Sequence, residues 1–160
     1  MDITLAISGA IALFVFAAAG TVIGTSIASS AAIGAWKKCF AHNRPAPFTL
    51  VAFVGMTMTN VLYGMLLMVF ILGKINDPKL EMLPGGGWAL LAICSAIGFV
   101  MGLASYAHAR AAAYACDAQG ETGQGVGKYI TAIGIIEGVT LFVFVFSLLA
   151  IGNFFTAKGV

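Results

Sequence analysis

The sequence predicts an all-α membrane protein with four transmembrane helices, arranged as two duplicated antiparallel hairpins. Hydrophobic residues make up 61% of the chain and charged residues 9%, whereas soluble domains carry about 25% charged residues. The mean hydropathy is +1.02. Four long apolar stretches, separated by short polar ones, fill nearly the whole length. We therefore expect no extramembrane domain of any size.

The apolar stretches place helices at about 3–36, 48–72, 88–116 and 128–155, with polar connections at 37–47, 73–87 and 117–127. About 20 apolar residues cross a bilayer, so the first helix is long enough to protrude on one side. It lacks the basic segment of a signal peptide, and we expect it to be retained. The chain then divides into a first hairpin at 1–73, a connecting loop at 74–87 and a second hairpin at 88–160.

The two halves of the chain share a pattern. The first and third helices are rich in small residues, which let another backbone approach closely, and the second and fourth are bulky and aromatic. Gly20-xxx-Gly24 is repeated 78 residues later by Gly98-xxx-Gly102. The same offset relates Glu137 of the fourth helix to Thr59 of the second. Duplication of one hairpin explains this pattern, with an acid present only in the second copy.

Glu137 is the only charged residue between Tyr129 and Ile151. An ionised carboxylate near the middle of a bilayer costs at least a few kcal/mol and is rare without a functional reason. The residue must take up a proton, bind a cation or pair with a base on another helix. The working hypothesis is that Glu137 loads and releases an ion inside the membrane.

Several polar residues are predicted to lie at the depth of this acid. Asn60 follows Arg44 by 16 residues, and Glu137 follows Glu121 by 16 residues, which gives the two the same depth in the bilayer. We therefore predict an ion-binding set of Glu137, Thr59, Asn60, Tyr63 and His108. Each partner also has an ordinary interpretation, as an interhelical hydrogen bond or as a packed ring.

The chemistry of this set allows two ions. Oxygens of Glu137, Thr59 and Asn60 suit Na⁺, a hard cation. A proton needs only a carboxylate whose neutral form is favoured by desolvation, held by Asn60 or by neutral His108. No cofactor is expected beyond a bound Na⁺ under the first alternative.

Other functions are disfavoured. The net charge of +2 gives no reason to expect nucleic acid. Cys39, Cys94 and Cys116 lack paired spacing, so a disulfide framework or zinc site is not expected. No nucleophile–base pair is apparent, and we expect no catalytic site. Lys and Arg are more numerous beside the first and third connections, which places 36–47 and 117–127 in the cytoplasm and both termini outside.

Three motifs carry a family resemblance: Ala31-Ala-Ile-Gly-Ala-Trp-Lys-Lys38, Thr59-Asn-Val-Leu-Tyr-Gly64 and Ala107-His-Ala-Arg-Ala-Ala-Ala113. With the two glycine-rich hairpins, the chain resembles the proteolipid (c- or K-type) rotor-ring subunit of bacterial V-type ATPases over nearly its whole length. The resemblance implies a homo-oligomeric ring in the bacterial cell membrane, with the small-residue helices inside. It also implies two partner proteins, a stator subunit with an essential arginine and a central-stalk subunit, besides membrane lipid.

The same resemblance assigns Glu137 as the ion-binding carboxylate, neutral against lipid and deprotonated at the stator arginine. Sodium-type members of that family have Thr-Gln in the second helix and Gln in the third. This sequence has Thr59-Asn60 and His108 at those positions, so we favour protons over Na⁺. Two other hypotheses are a small four-helix proton-coupled transporter and a purely structural four-helix protein. The glycine stripes disfavour the former, and the latter leaves Glu137 unexplained.

Overall fold

Five α-helices and a small two-stranded sheet make up the part of the chain that the computed structural model describes, residues 1–158. The helices are α1 Asp2–Ala41, α2 Leu50–Gly55, α3 Thr59–Asn76, α4 Gly86–Thr122 and α5 Val126–Gly152, and the strands are β1 Leu80–Met82 and β2 Phe155–Ala157. A 3₁₀ turn at Met56–Met58 joins α2 and α3 into one span, Leu50–Asn76. Residues 159–160, the end of the predicted second hairpin, lie outside the described residues.

Four helical segments are long and apolar enough to cross a membrane. This confirms the all-α class and the prediction of four spans. With 40 residues, α1 is about 60 Å long, about twice the thickness of a bilayer's hydrocarbon core. α4 has 37 residues and is nearly as long. Both helices therefore extend beyond the hydrocarbon, as expected for the first of them.

α1 and α4, the two small-residue helices, form the most extensive helix contact. Their backbones pack closely at Gly20 and Gly102, where a Cβ on Gly20 would overlap the backbone of Gly102. A Cβ on Gly24 would lie 2.9 Å from the carbonyl oxygen of Ser105. Glycine at these positions is what allows such close packing.

α3 and α5, the bulkier helices, pack outside this pair. α3 contacts α1 at Gly64, where a Cβ would lie 2.9 Å from the Cβ of Ala17, and α5 contacts α4 and α3. The outer face of α5 is apolar and exposed, with Ile135, Phe142 and Phe146 each about two-thirds accessible. Such a face is suited to lipid or to another apolar protein surface.

Several helix ends differ from the predictions. The segment 117–122, predicted as loop, continues α4, and α1 runs to Ala41 rather than residue 36. The polar side chains there are compatible with helix, and Lys38 of α1 pairs with Asp117 at 2.8 Å and with Glu121 at 3.2 Å. These exposed ion pairs contribute little to stability, because solvent screens them. Gly123, with φ of 67°, ends α4 in the left-handed conformation.

The two short strands form an antiparallel pair with Glu81 opposite Thr156. The pairing continues at both ends, since Lys158 N donates to Lys79 O at 2.9 Å and Leu83 N donates to Phe154 O at 3.0 Å. The sequence predicted helix up to residue 155, but α5 ends at Gly152. The connection between the hairpins and the segment after α5 are thus joined by main-chain hydrogen bonds.

Candidate ion-binding site

Glu137 lies in the middle of α5, and its side chain is 20% exposed. The carboxyl points toward α3 and α4, where it meets three polar side chains. No Lys or Arg pairs with it among residues 1–158. The carboxyl is thus largely removed from solvent, in a stretch of α5 from Tyr129 to Gly152 that carries no other charge, without a permanent cation to balance an ionised form.

Two hydroxyls from adjacent turns of α3 hold the carboxyl, one on each oxygen. Thr59 Oγ1 lies 2.8 Å from Oε2, and Tyr63 OH lies 2.7 Å from Oε1. Residues four apart share one face of a helix, so α3 presents both groups to α5. The ring of Tyr63 also stacks on Phe144 of α5, with centroids 5.0 Å apart. This stacking fixes the direction of the phenolic hydroxyl.

The hydrogens available to these groups suffice to complete the hydrogen bonds of a neutral carboxyl. Thr59 Oγ1 has a single hydrogen, yet it lies 2.9 Å from Met56 O as well as 2.8 Å from Oε2. If Oε2 carries a proton, it donates to Thr59, and Thr59 donates to Met56 O. Tyr63 then donates to Oε1, and every group has its own hydrogen. An ionised carboxylate would leave Met56 O and Oε2 in competition for one hydrogen.

His108 of α4 approaches from the other side. Its side chain is 1% exposed, and its Nδ1 lies 3.3 Å from Oε2 of Glu137. This contact is within ion-pair distance but lacks the geometry of a hydrogen bond, and among residues 1–158 neither ring nitrogen has a hydrogen-bond partner. The structure thus brings Thr59, Tyr63 and His108 to the carboxyl.

Asn60, the remaining predicted ligand, makes no hydrogen bond to Glu137. It is fully buried on the side of α3 that carries Gly64 and faces α1, and both polar atoms of its amide are unpartnered within residues 1–158. Thr59 and Asn60 are adjacent in sequence and therefore point about 100° apart on a helix. Counting residues gave the depth of Asn60 but not its direction.

The 3₁₀ turn at Met56–Met58, directly before Thr59, was not predicted. Irregular backbone in a membrane span needs side chains to satisfy the freed carbonyls. Thr57 Oγ1 donates to Val54 O at 2.8 Å, and Ser105 Oγ donates to Thr57 O at 3.1 Å. Thr59 serves Met56 O in the same way. The run of threonines in this span was the sequence signal that could have predicted the irregular turn. Ser105 gave no such signal on its own.

Comparisons with known proteins add no assignment. No protein-family model matches this chain. No curated protein matches it either. Among residues 1–158, no three His, Cys, Asp or Glu side chains are grouped so as to hold a metal ion.

Replacing Thr59 by Val is expected to destabilise the protein more than replacing Tyr63 by Phe. The Val variant leaves both Oε2 and Met56 O without the Thr59 hydroxyl, at a cost of about 1–3 kcal/mol. The Phe variant removes one donor and keeps the ring stacked on Phe144, at a cost of about 0.5–1.5 kcal/mol. Thermal unfolding in detergent measures both. Thr131→Val, at an exposed threonine of α5, is the matched control, and equal losses at 59 and 131 would contradict the expectation.

Proposed function

We propose that the chain is a rotor-ring subunit of a V-type ATPase or ATP synthase, and that it moves H⁺ (or Na⁺) by reversible loading at Glu137. The observation that carries this proposal is the environment of the Glu137 carboxyl. It is the sole acid of an apolar span, and two hydroxyls of another helix hold it in a set of hydrogen bonds that suits its neutral form. A neutral carboxyl can face hydrocarbon at far lower cost than an ionised one.

Unloading requires a positive charge from outside the protomer. Deprotonation of Glu137 creates an anion that no Lys or Arg within residues 1–158 balances. An arginine on a stator subunit would supply that charge, because guanidinium stays protonated and binds carboxylates tightly. Passage of Glu137 beyond the arginine would then restore the neutral form. Ion transfer in this mechanism is a property of two subunits, and neither performs it alone.

The packing of the helices supports a ring of identical copies. The glycine contacts hold α1 and α4 close together, and the exposed apolar face of α5 is available to lipid. In the proposed ring, α1 and α4 face the interior, and α3 and α5 face outward. The protruding ends of α1 and α4 meet the central stalk on the cytoplasmic side of the bacterial cell membrane, and both termini lie outside.

The subunit has no catalytic site of its own in this proposal. ATP hydrolysis on other subunits turns the ring, or ion flow turns it in the opposite direction to make ATP. A proton-coupled transporter would instead need a substrate cavity that reaches the acid. Five of the surface pockets within residues 1–158 have volumes of about 320 to 540 Å³, and none of these five is lined by Glu137. No observation favours that alternative.

Mass measurement after mild detergent extraction tests the ring. We expect a closed homo-oligomer whose mass is a large whole-number multiple of the 16.5 kDa chain. A rotor requires such an assembly, whereas a small transporter functions as a monomer or dimer. Glu137→Gln provides the control, because it changes the charge chemistry and leaves the glycine contacts intact. A native chain that remains a monomer or dimer across several mild detergents would refute the proposed function.

A further inference from the structure

The strand pair β1–β2 has two open edges. Its main-chain bonds at Lys79–Lys158 and at Leu83–Phe154 show that every second position is hydrogen-bonded, as in any antiparallel pair. The intervening residues turn their main-chain N–H and C=O groups away from the partner strand; these residues are Leu80, Met82, Phe155 and Ala157. Apart from Leu80 N, which donates to Asp77 O at 3.1 Å, none of these groups has a main-chain partner within residues 1–158. Both edges therefore carry unpaired main-chain donors and acceptors.

This pair is incomplete as a sheet. Each strand has 3 residues, and an isolated two-stranded pair is marginally stable in water, whereas three or more strands with an apolar face are stable. Met82 and Phe155 already supply an apolar face, since they lie opposite each other and pack against the buried core. An open edge is also a template for a further strand. The sheet thus has the apolar face of a stable sheet and lacks the strands.

The opposite face of the sheet is charged, and its charges are poorly matched within one copy. Lys79, Glu81 and Lys158 are exposed there, together with Thr156. Lys79 lies opposite Lys158, and like charges at opposite positions destabilise a strand pair. Glu81 lies opposite Thr156 and has no ion pair within residues 1–158. One acid and two bases are therefore left without a partner of opposite charge on this face.

A second copy of the chain fits both edges at once. Copies in a ring are related by rotation about the membrane normal, so their strands run in the same directions. β2 of one copy therefore meets β1 of the next as an antiparallel pair. Ala157 and Met82 of the next copy can then exchange two main-chain hydrogen bonds. In that register Lys158 lies directly opposite Glu81 of the next copy, on the exposed face.

Other registers of this contact are worse. Moving the next copy by two residues in one direction would set Lys158 against Lys79 of the next copy, which repeats the repulsion found within one chain. Moving it by two residues in the other direction would set Ala157 against Pro78 of the next copy, if taken past the first shift. Proline has no N–H to donate. The register that pairs Lys158 with Glu81 satisfies both the charges and the main chain.

We propose that β2 of each copy pairs with β1 of the next, with Lys158 opposite Glu81, so that the strands form one continuous antiparallel sheet around the rim of the ring. The partner is a second copy of this chain, and the proposal rests on the ring proposed above. The sheet lies beyond the ends of the four candidate spans, on the side of both termini. Neighbouring copies are thus joined by main-chain hydrogen bonds as well as by helix packing.

Cysteines at the two contact positions test this contact in the full chain. Glu81→Cys with Lys158→Cys places one thiol on each edge, so mild oxidation in native membranes should join copy to copy. Opposite Cβ atoms lie about 5 Å apart, whereas the diagonal separation of residues 81 and 158 inside one copy is about 7 Å, which is too long for a disulfide. We expect a ladder of linked chains extending beyond the dimer on a denaturing, non-reducing gel, and its collapse to monomer on reduction.

Three controls accompany this variant. The native chain gives the background, since its cysteines are buried. Each single variant can form at most a dimer through its new thiol. Lys79→Cys with Lys158→Cys places both thiols at opposite positions of one copy, so it should form a disulfide within the chain and no ladder.

The outcomes separate the contact from the ring. If the 81/158 variant gives nothing beyond the dimer while its mass in mild detergent is that of a closed oligomer, the strand contact is refuted and the proposed function stands. A ladder of equal length from the 79/158 variant would refute the register, and failure of that variant to form its internal disulfide would refute the strand pair itself. A native chain that is only a monomer or dimer would contradict the proposed function.

Discussion

Replacing Glu137 by Gln is expected to abolish ion transport while the protein still folds and assembles. Glutamine has nearly the same shape and keeps an oxygen and a donor for Thr59 and Tyr63, but it cannot take up or release a proton. Transport driven by ATP should fall below detection, because no other acid lies in the apolar part of this span. The measurement is acidification of inverted membrane vesicles from cells whose only copy of the chain carries the change.

Glu121→Gln is the matched control. It makes the same chemical change at an exposed carboxylate near the end of α4, which pairs with Lys38 at 3.2 Å. Such surface pairs contribute little to stability because solvent screens them, so transport by this variant should remain close to native. Native-like acidification by vesicles with Glu137→Gln would end the assignment of Glu137 as the ion carrier, and equal loss in both variants would show a general effect of charge.

Replacing Gly20 by Ala is expected to separate α1 from α4 and to prevent assembly of native oligomers. The added Cβ would overlap the backbone of Gly102, which is held in its own helix and has no flexible side chain to move aside. Forcing extra atoms into a close-packed contact typically costs about 1–3 kcal/mol, and rigid backbone places this case at the upper end. Thermal unfolding and native mass measurement in detergent report the two effects.

Gly34→Ala makes the same change in the same helix, at a position where a Cβ meets nothing within 4 Å. Alanine is the better helix former by about 1 kcal/mol, so this variant should be at least as stable as the native chain. The expected order of thermal stability is therefore Gly34→Ala at or above native, and Gly20→Ala clearly below it. An unchanged melting temperature and oligomer mass for Gly20→Ala would contradict the close approach of α1 and α4.

The number and approximate position of the spans could be predicted from sequence because hydropathy is a local property. The ends could not. Residues 117–122 are polar and were predicted as loop, yet Asp117 and Glu121 are compatible with helix and face Lys38 from a distant part of the chain. The strand pairing of 80–82 with 155–157 is equally non-local. Neither contact leaves a periodic signal in the segment that forms it.

The depth of the candidate site along the helices was more predictable than the directions in which its side chains point. Counting along regular helices placed Glu137 level with the polar cluster of the second span, because the rise per residue is constant. Counting does not give the rotation of one helix about its axis relative to another. It could not distinguish Thr59, which contacts the carboxyl, from Asn60, which faces α1. The 3₁₀ turn at Met56–Met58 changes that rotation further.

The strand pair beyond the ends of the four candidate spans limits sliding of α5 along its own axis. Displacement by a single helical turn would carry Glu137 about 5.4 Å away from Thr59 and Tyr63. β2 follows α5 after only two residues, and its pairing with β1 would have to break first. The main-chain hydrogen bonds between the strands, roughly 25 Å from Glu137 along the helix, thus keep the acid at the level of its two hydroxyl donors.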